Sequence, residues 1–156
     1  MGQVAQLIKG DVGLEAVSVD LGGWDSHFVQ GQVMDSRMVR LAETLWAFWA
    51  DLGDRMAETT VVVMTEFGRR VHENASFGTD HGRGSVMFVM GGGVAGGRVL
   101  ADWVGLDDAD LEGPGDLPVR HNYRDVLAPM LTRHGAGASL GEVFPSYALQ
   151  PMGLYG

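Results

Sequence analysis

Met34, Met38, Leu41, Leu45, Phe48 and Leu52 recur at intervals of four, three, four, three and four, and this stripe constrains the fold more than any other feature of the sequence. The spacing predicts a long amphipathic helix with one face on a core and Gly53 placed to stop it. A strand-like run lies on either side. Ala16 to Leu21 alternates Val17, Val19 and Leu21 against Ser18 and Asp20, the pattern of a strand. Thr60 to Thr65 (TVVVMT) is a continuous β-branched run, which suits a strand covered on both faces, as in a parallel sheet. Strand, helix and strand in that order make a βαβ unit.

The rest of the chain extends this pattern. Val86 to Met90 (VMFVM) reads as a third buried strand and Arg98 to Trp103 as a short fourth. Val4 to Ile8 reads as the end of a helix closed by Gly10 to Gly13. Asn122 to Leu131 forms a late helix with Asn122 as N-cap and Asp125 three residues on, interrupted by Pro129. The expected fold is therefore α/β, a mostly parallel central sheet with flanking helices, with residues 1–156 as a single domain. The glycine clusters Gly22-Gly23, Gly82 to Gly84, Gly91 to Gly93 and Gly96-Gly97 each border a strand-like run, so they read as loop apices.

Composition excludes several functions. With 46% hydrophobic residues in 156, the chain can bury a core. Its net charge of -9, with Lys9 the single lysine, leaves no basic stripe for nucleic acid. No apolar run approaches the roughly 20 residues of a membrane span, and no signal-peptide pattern opens the sequence. Cysteine is absent, so a metal would have to be held by His and carboxylate, and the compartment is left open by composition.

Open α/β sheets place ligand sites in the loops after their strands. Asp25-x-His27 follows the first expected strand, Glu66 and Arg69 follow the second, and Asp80-His81 lies before the third. Zinc and manganese accept such N/O donors from separate segments, so Asp25, His27, Glu66, Asp80 and His81 are candidate ligands for a divalent metal. An ion there would acidify a bound water or stabilise charge on an ester. Arg69 or Arg83 would clamp a phosphate or sulfate oxygen. The same residues have ordinary loop roles: His27 capping the next helix, Asp25 satisfying turn amides, Asp80 in an Asx-turn, Glu66 pairing with Arg69. His72, His121 and His134 are isolated and read as surface or helix-end residues. Trp46, Trp49 and Trp103 read as core, with Trp24, in the loop, as the exception. Ser26, Ser76 and Ser85 lack the G-x-S-x-G context, and the Gly91 to Gly97 glycines fit neither a P-loop nor a dinucleotide fingerprint.

Taken together, GGWDSH (Gly22 to His27), TEFGRR (Thr65 to Arg70), GTDHG (Gly78 to Gly82) and NYRD (Asn122 to Asp125) resemble, in the same order, a largely bacterial family known as domain of unknown function 1501, placed in the alkaline phosphatase and sulfatase superfamily. The resemblance implies an alkaline-phosphatase-like fold with metal ions, often zinc, at the carboxyl edge of the sheet. Asp25 and His27 correspond to the first ligand group, Glu66 to a second acid, and Asp80 with His81 to the last. It implies a hydrolase of phosphate or sulfate esters, of which this chain is the C-terminal, metal-site part of an incomplete domain without the nucleophile segment, and inactive alone. It also implies twin-arginine export, hence a periplasmic or secreted location. The expected partner is a small anionic ester or a sulfated or phosphorylated glycan. The alternative is a non-catalytic exported domain that binds an anionic glycan or a protein. Where relatives have Asp-Tyr-Arg, this chain has Asn122-Tyr123-Arg124.

Overall fold

The computed structural model describes residues 1–155. Its elements in order are α1 (Gly2–Lys9), α2 (Gln30–Leu52), β1 (Thr60–Val63), β2 (Gly68–Arg69), β3 (His81–Gly82), β4 (Phe88–Gly91), α3 (Tyr123–Arg133) and α4 (Leu140–Val143), with short 3-10 turns between several of them.

The stripe forms the 23-residue helix α2, and Gly53 ends it at φ 53, donating its N–H to the Trp49 carbonyl. A residue with a Cβ is disfavoured at that angle. The helix is anchored at its C-terminal end. Phe48, Leu52 and Met56 are buried with Val4 and Ala5 of α1, and Met1, Ile8, Val61 of β1 and Met90 of β4 pack around them. Towards its N-terminus the stripe loosens, and Met38 is exposed. Trp46 and Trp103 are also exposed, at 70% and 66%, and Trp49 at 44%, so these tryptophans do not form the core expected of them.

The expected parallel sheet is not formed. β1 pairs with β4 in antiparallel register, Thr60 opposite Gly91 and Val63 opposite Phe88, and β2 pairs with β3, Gly68 opposite Gly82 and Arg69 opposite His81. These are two separate two-stranded sheets, so the fold is neither a mostly parallel central sheet nor alkaline-phosphatase-like. The reason lies in residues 16–21. They are not in a strand, and Val17 and Val19 are exposed, so no strand stands beside β1 to close a βαβ unit. An alternating pattern has no meaning without a partner ladder. The β-branched run of β1 is half-buried at every position, as suits a two-stranded ribbon and not a covered central strand. Residues 98–103 are likewise not in a strand, with Val99 almost fully exposed.

The late helix α3 begins where expected. The Asn122 side chain accepts a hydrogen bond from the Arg124 N–H at 3.0 Å, satisfying one of the amides left open at a helix start. Pro129 lies inside the helix, which persists because Asp125, Val126 and Ala128 are buried on one side. His134 is its C-cap, with Nε2 3.1 Å from Thr60 Oγ1, a helix-end role. Among the described residues no helix is long and apolar enough to cross a membrane.

Candidate metal centre

Three segments meet beside the β2–β3 ribbon. The loop Gly22 to Val29 carries Asp25 and His27, β3 carries His81, and the segment between β2 and β3 carries Asn74 and Asp80. Gly78 allows the closest approach, since a Cβ there would lie 2.5 Å from the His27 carbonyl oxygen. Two backbone bonds brace the junction: Val29 N–H donates to Ser76 O and Gln30 N–H to Phe77 O, both at 3.0 Å. Val29 and Phe77 both sit at positive φ, 46° and 59°, a strained geometry for side chains of their size. Gln30 Oε1 adds bonds from the Thr79 N–H and hydroxyl, each at 2.7 Å.

The result is a compact donor set. Asp25, His27 and His81 each offer one ligand atom, and the three atoms lie within 4.8 Å of one another. His81 Nε2 is 2.8 Å and His27 Nε2 3.2 Å from Asp25 Oδ1. Ligands about 2.1 Å from a tetrahedral ion are about 3.4 Å apart, so two nitrogens and one oxygen at this spacing fit zinc chemistry with small outward shifts. The cluster is open to solvent, with Asp25 and His81 exposed and His27 half-buried.

Asp80 contacts the other nitrogen of His27, its Oδ1 lying 3.0 Å from Nδ1. A carboxylate only accepts, so this contact is a hydrogen bond when Nδ1 carries the ring proton. Asn74 joins the two, donating Nδ2 to His27 O at 2.9 Å and to Asp80 Oδ1 at 3.2 Å, while its Oδ1 accepts from the Ser76 and Gly78 amides. Phe67 stacks on His81 with ring centroids 3.8 Å apart. The hydrogen bond from His81 holds the Asp25 carboxyl below the usual carboxylate range, and the bond from His27, then that from Asn74, does the same for Asp80.

Of the residues expected at the site, the structure thus gathers Asp25, His27 and His81, with Asp80 behind His27. Glu66 is exposed and outside this group. Arg69 does not pair with Glu66. Its Nη1 donates to Thr79 O at 2.7 Å and its Nη2 to Trp24 O at 2.5 Å, tying the two loops together. Arg83 is exposed and paired with Glu112 at 2.9 Å. The ordinary roles fare no better: α2 has Val29 as its N-cap and takes no side-chain cap from His27, and Asp80 binds side chains, not turn amides. His72 pairs with Asp108 at 3.0 Å. Sequence reasoning missed Phe67, Asn74 and Gln30. Phe67 lay inside the TEFGRR motif, and Asn74 two residues before Ser76 carried an Asx-turn signal.

A concavity of about 440 Å³ lies elsewhere, lined among others by Arg120, His121, Asn122, Asp125, Tyr147 and Gln150. Among its lining residues, Asp125 accepts from Tyr147 OH and Gln150 N–H, both at 2.7 Å.

No curated protein and no solved structure matches the chain. A family model described as a protein of unknown function (DUF1501) matches residues 7–154, and the chain belongs to that family.

Proposed function

We propose that the chain binds a divalent metal ion, zinc or, second, manganese, through Asp25, His27 and His81, and that this site serves hydrolysis of a phosphate or sulfate ester in an exported protein. The observation that carries the reading is the approach of one carboxylate oxygen and two imidazole nitrogens from separate segments to within 4.8 Å. Asp80 supports it from behind: as an acceptor for a hydrogen bond from His27 Nδ1–H it favours the tautomer whose Nε2 lone pair faces Asp25 and His81, the one a metal-ligating histidine needs. Phe67 fixes the plane of His81. Three protein donors leave a coordination position for water or substrate, and a bound ion would supply Lewis acidity and lower the pKa of that water. Arg69 spends one N–H on each of two carbonyls, and its remaining donors are available to an anionic oxygen.

The exposure of the cluster favours one second reading, in which the same edge binds an anionic glycan or a protein partner without turning it over. Elemental analysis of the purified protein beside the His27→Ala/His81→Ala double variant tests the metal. The expected result is near-stoichiometric zinc or manganese that the variant loses; a folded protein that takes up neither ion overturns the proposal. Aryl phosphate and aryl sulfate assays on the loaded protein then separate the two readings, since metal-dependent release of phenol requires turnover and saturable binding alone does not.

A further inference from the structure

Behind Asp80 lies a second pair of charges that the site as described does not use. Arg70 follows β2 and bridges Asp116 in backbone pairing, and Val71 N–H donates to Gly115 O at 2.9 Å. Asp116 is held in turn by a tight reversal in which Glu112 and Asp116 exchange backbone hydrogen bonds at 2.9 and 2.8 Å. On the other side, Arg70 N–H donates to Asp80 O at 3.0 Å. The Arg70 guanidinium therefore sits between two carboxylates whose backbones are both fixed to its own.

Its distances are those of a shared cation. Nη1 is 4.0 Å from Asp80 Oδ2 and Nε is 3.6 Å from Asp116 Oδ1. Both Nε and that Oδ1 are buried with no hydrogen-bond partner. Buried polar atoms left so are costly, and these two, 3.6 Å apart, face each other as donor and acceptor.

We propose that Asp116 and Arg70 are positioning residues for the metal centre. Asp116 holds the guanidinium, the guanidinium holds Asp80 Oδ2, and Asp80 Oδ1 is thereby aimed at His27 Nδ1. Four side chains, Asp116, Arg70, Asp80 and His27, form one line from a buried turn to a half-buried ligand. The inference rests on the proposed metal reading for its consequence, but the line itself acts on the imidazole with or without an ion. Loss of an outer-shell partner of a metal-bound histidine costs about 10-fold to 100-fold in metal affinity.

The test compares wild type with Asp116→Asn and Arg70→Gln by side-chain imidazole NMR on metal-free protein at mildly alkaline pH, and by Zn²⁺ competition against a chelating dye. Expected are Nδ1-protonated His27 in wild type, a shift towards Nε2 protonation in both variants, Zn²⁺ binding weaker by about 10-fold or more, and a double variant no worse than the singles. Arg70→Lys keeps the charge and is expected to restore part of the Nδ1 population. If Asp116→Asn unfolds, Arg70→Gln, which leaves the 112–116 backbone bonds in place, decides. A His27 tautomer unchanged in the folded variants overturns the proposal, because a merely structural turn would leave it unmoved. If wild type binds no Zn²⁺, the metal reading fails, while the tautomer still decides the relay.

Discussion

His27 and Asp80, 53 residues apart in sequence, meet at 3.0 Å between Nδ1 and Oδ1. This bond is the largest cause of the lowered pKa of Asp80, as the bond from His81 is for Asp25. Both carboxyls are depressed in the folded state, so each contributes stability that is present above its unfolded value of 3.8 and is lost as the pH falls through the folded value. Carboxyl-carbon NMR titration of metal-free protein checks the assignment. Both midpoints are expected below 3.8. His27→Ala should return Asp80 most of the way and Asp25 only slightly; His81→Ala should return Asp25 and leave Asp80 in place. Equal effects of the two variants on both carboxyls would contradict the pairing.

Gly78 is a packing requirement of the site. Its missing Cβ would collide with the His27 carbonyl carbon and oxygen at 2.6 and 2.5 Å, both backbone atoms that cannot swing away. Gly78→Ala is expected to push the Asp25–His27 loop off the Asn74–Asp80 segment and break the bond from Asn74 Nδ2 to His27 O. The measurement is Zn²⁺ affinity together with far-UV circular dichroism. Binding should fall at least about 10-fold, as for loss of an outer-shell partner, while helix content holds, because the core that anchors the C-terminal end of α2 lies outside the junction. Unchanged binding would show that the loop tolerates the methyl.

Sequence reading succeeded where a local period or a local cap carries the information. The stripe from Met34 to Leu52, Gly53 after it, Gly10 behind α1 and Asn122 before α3 all specify structure within a few residues, and all appear at those positions. It failed where the outcome depends on a distant partner. Nothing in the residues 60–65 says whether β1 will find a parallel neighbour or the antiparallel β4, and the alternation at 16–21 is identical whether or not a ladder receives it. The site divides in the same way. Asp25, His27 and His81 could be nominated by residue type, but the demotion of Glu66 and the use of Arg69 on two carbonyls follow from loop paths. Arg70 and Asp116 lay beyond any motif linking them, 46 positions apart.

The core predicts a sharp contrast between two aromatic residues two positions apart on α2. Phe48 is 4% exposed in the cluster with Val4, Ala5, Leu52 and Met56, whereas Trp46 is exposed. Phe48→Ala removes buried area and leaves a cavity, at a cost of about 3–5 kcal/mol. Trp46→Ala should change stability by no more than about 0.5 kcal/mol, the range of ordinary surface substitutions. Urea denaturation followed by circular dichroism measures both. A large loss at Trp46 would mean that its indole covers apolar surface in solution.

Tyr147 gives a prediction at the alkaline end. Its hydroxyl donates to Asp125 Oδ2 at 2.7 Å, and that bond first, then burial and the charge of Asp125, raise the phenol above its usual 10.0, with Arg124 opposing. A raised pKa means that the folded chain holds the proton longer than the unfolded one, so the stability it contributes is complete below pH 10.0 and declines as the pH rises through the folded value. Ultraviolet titration of phenolate should show one of the three tyrosines ionising late, and Tyr147→Phe should remove that late step alone. The same variant leaves Asp125 Oδ2 without its donor on a residue only 6% exposed. Asp125→Asn, which keeps the shape but removes the charge, should bring the Tyr147 midpoint down towards 10.0. A midpoint that stays high in Asp125→Asn would assign the shift to burial instead of to the carboxylate.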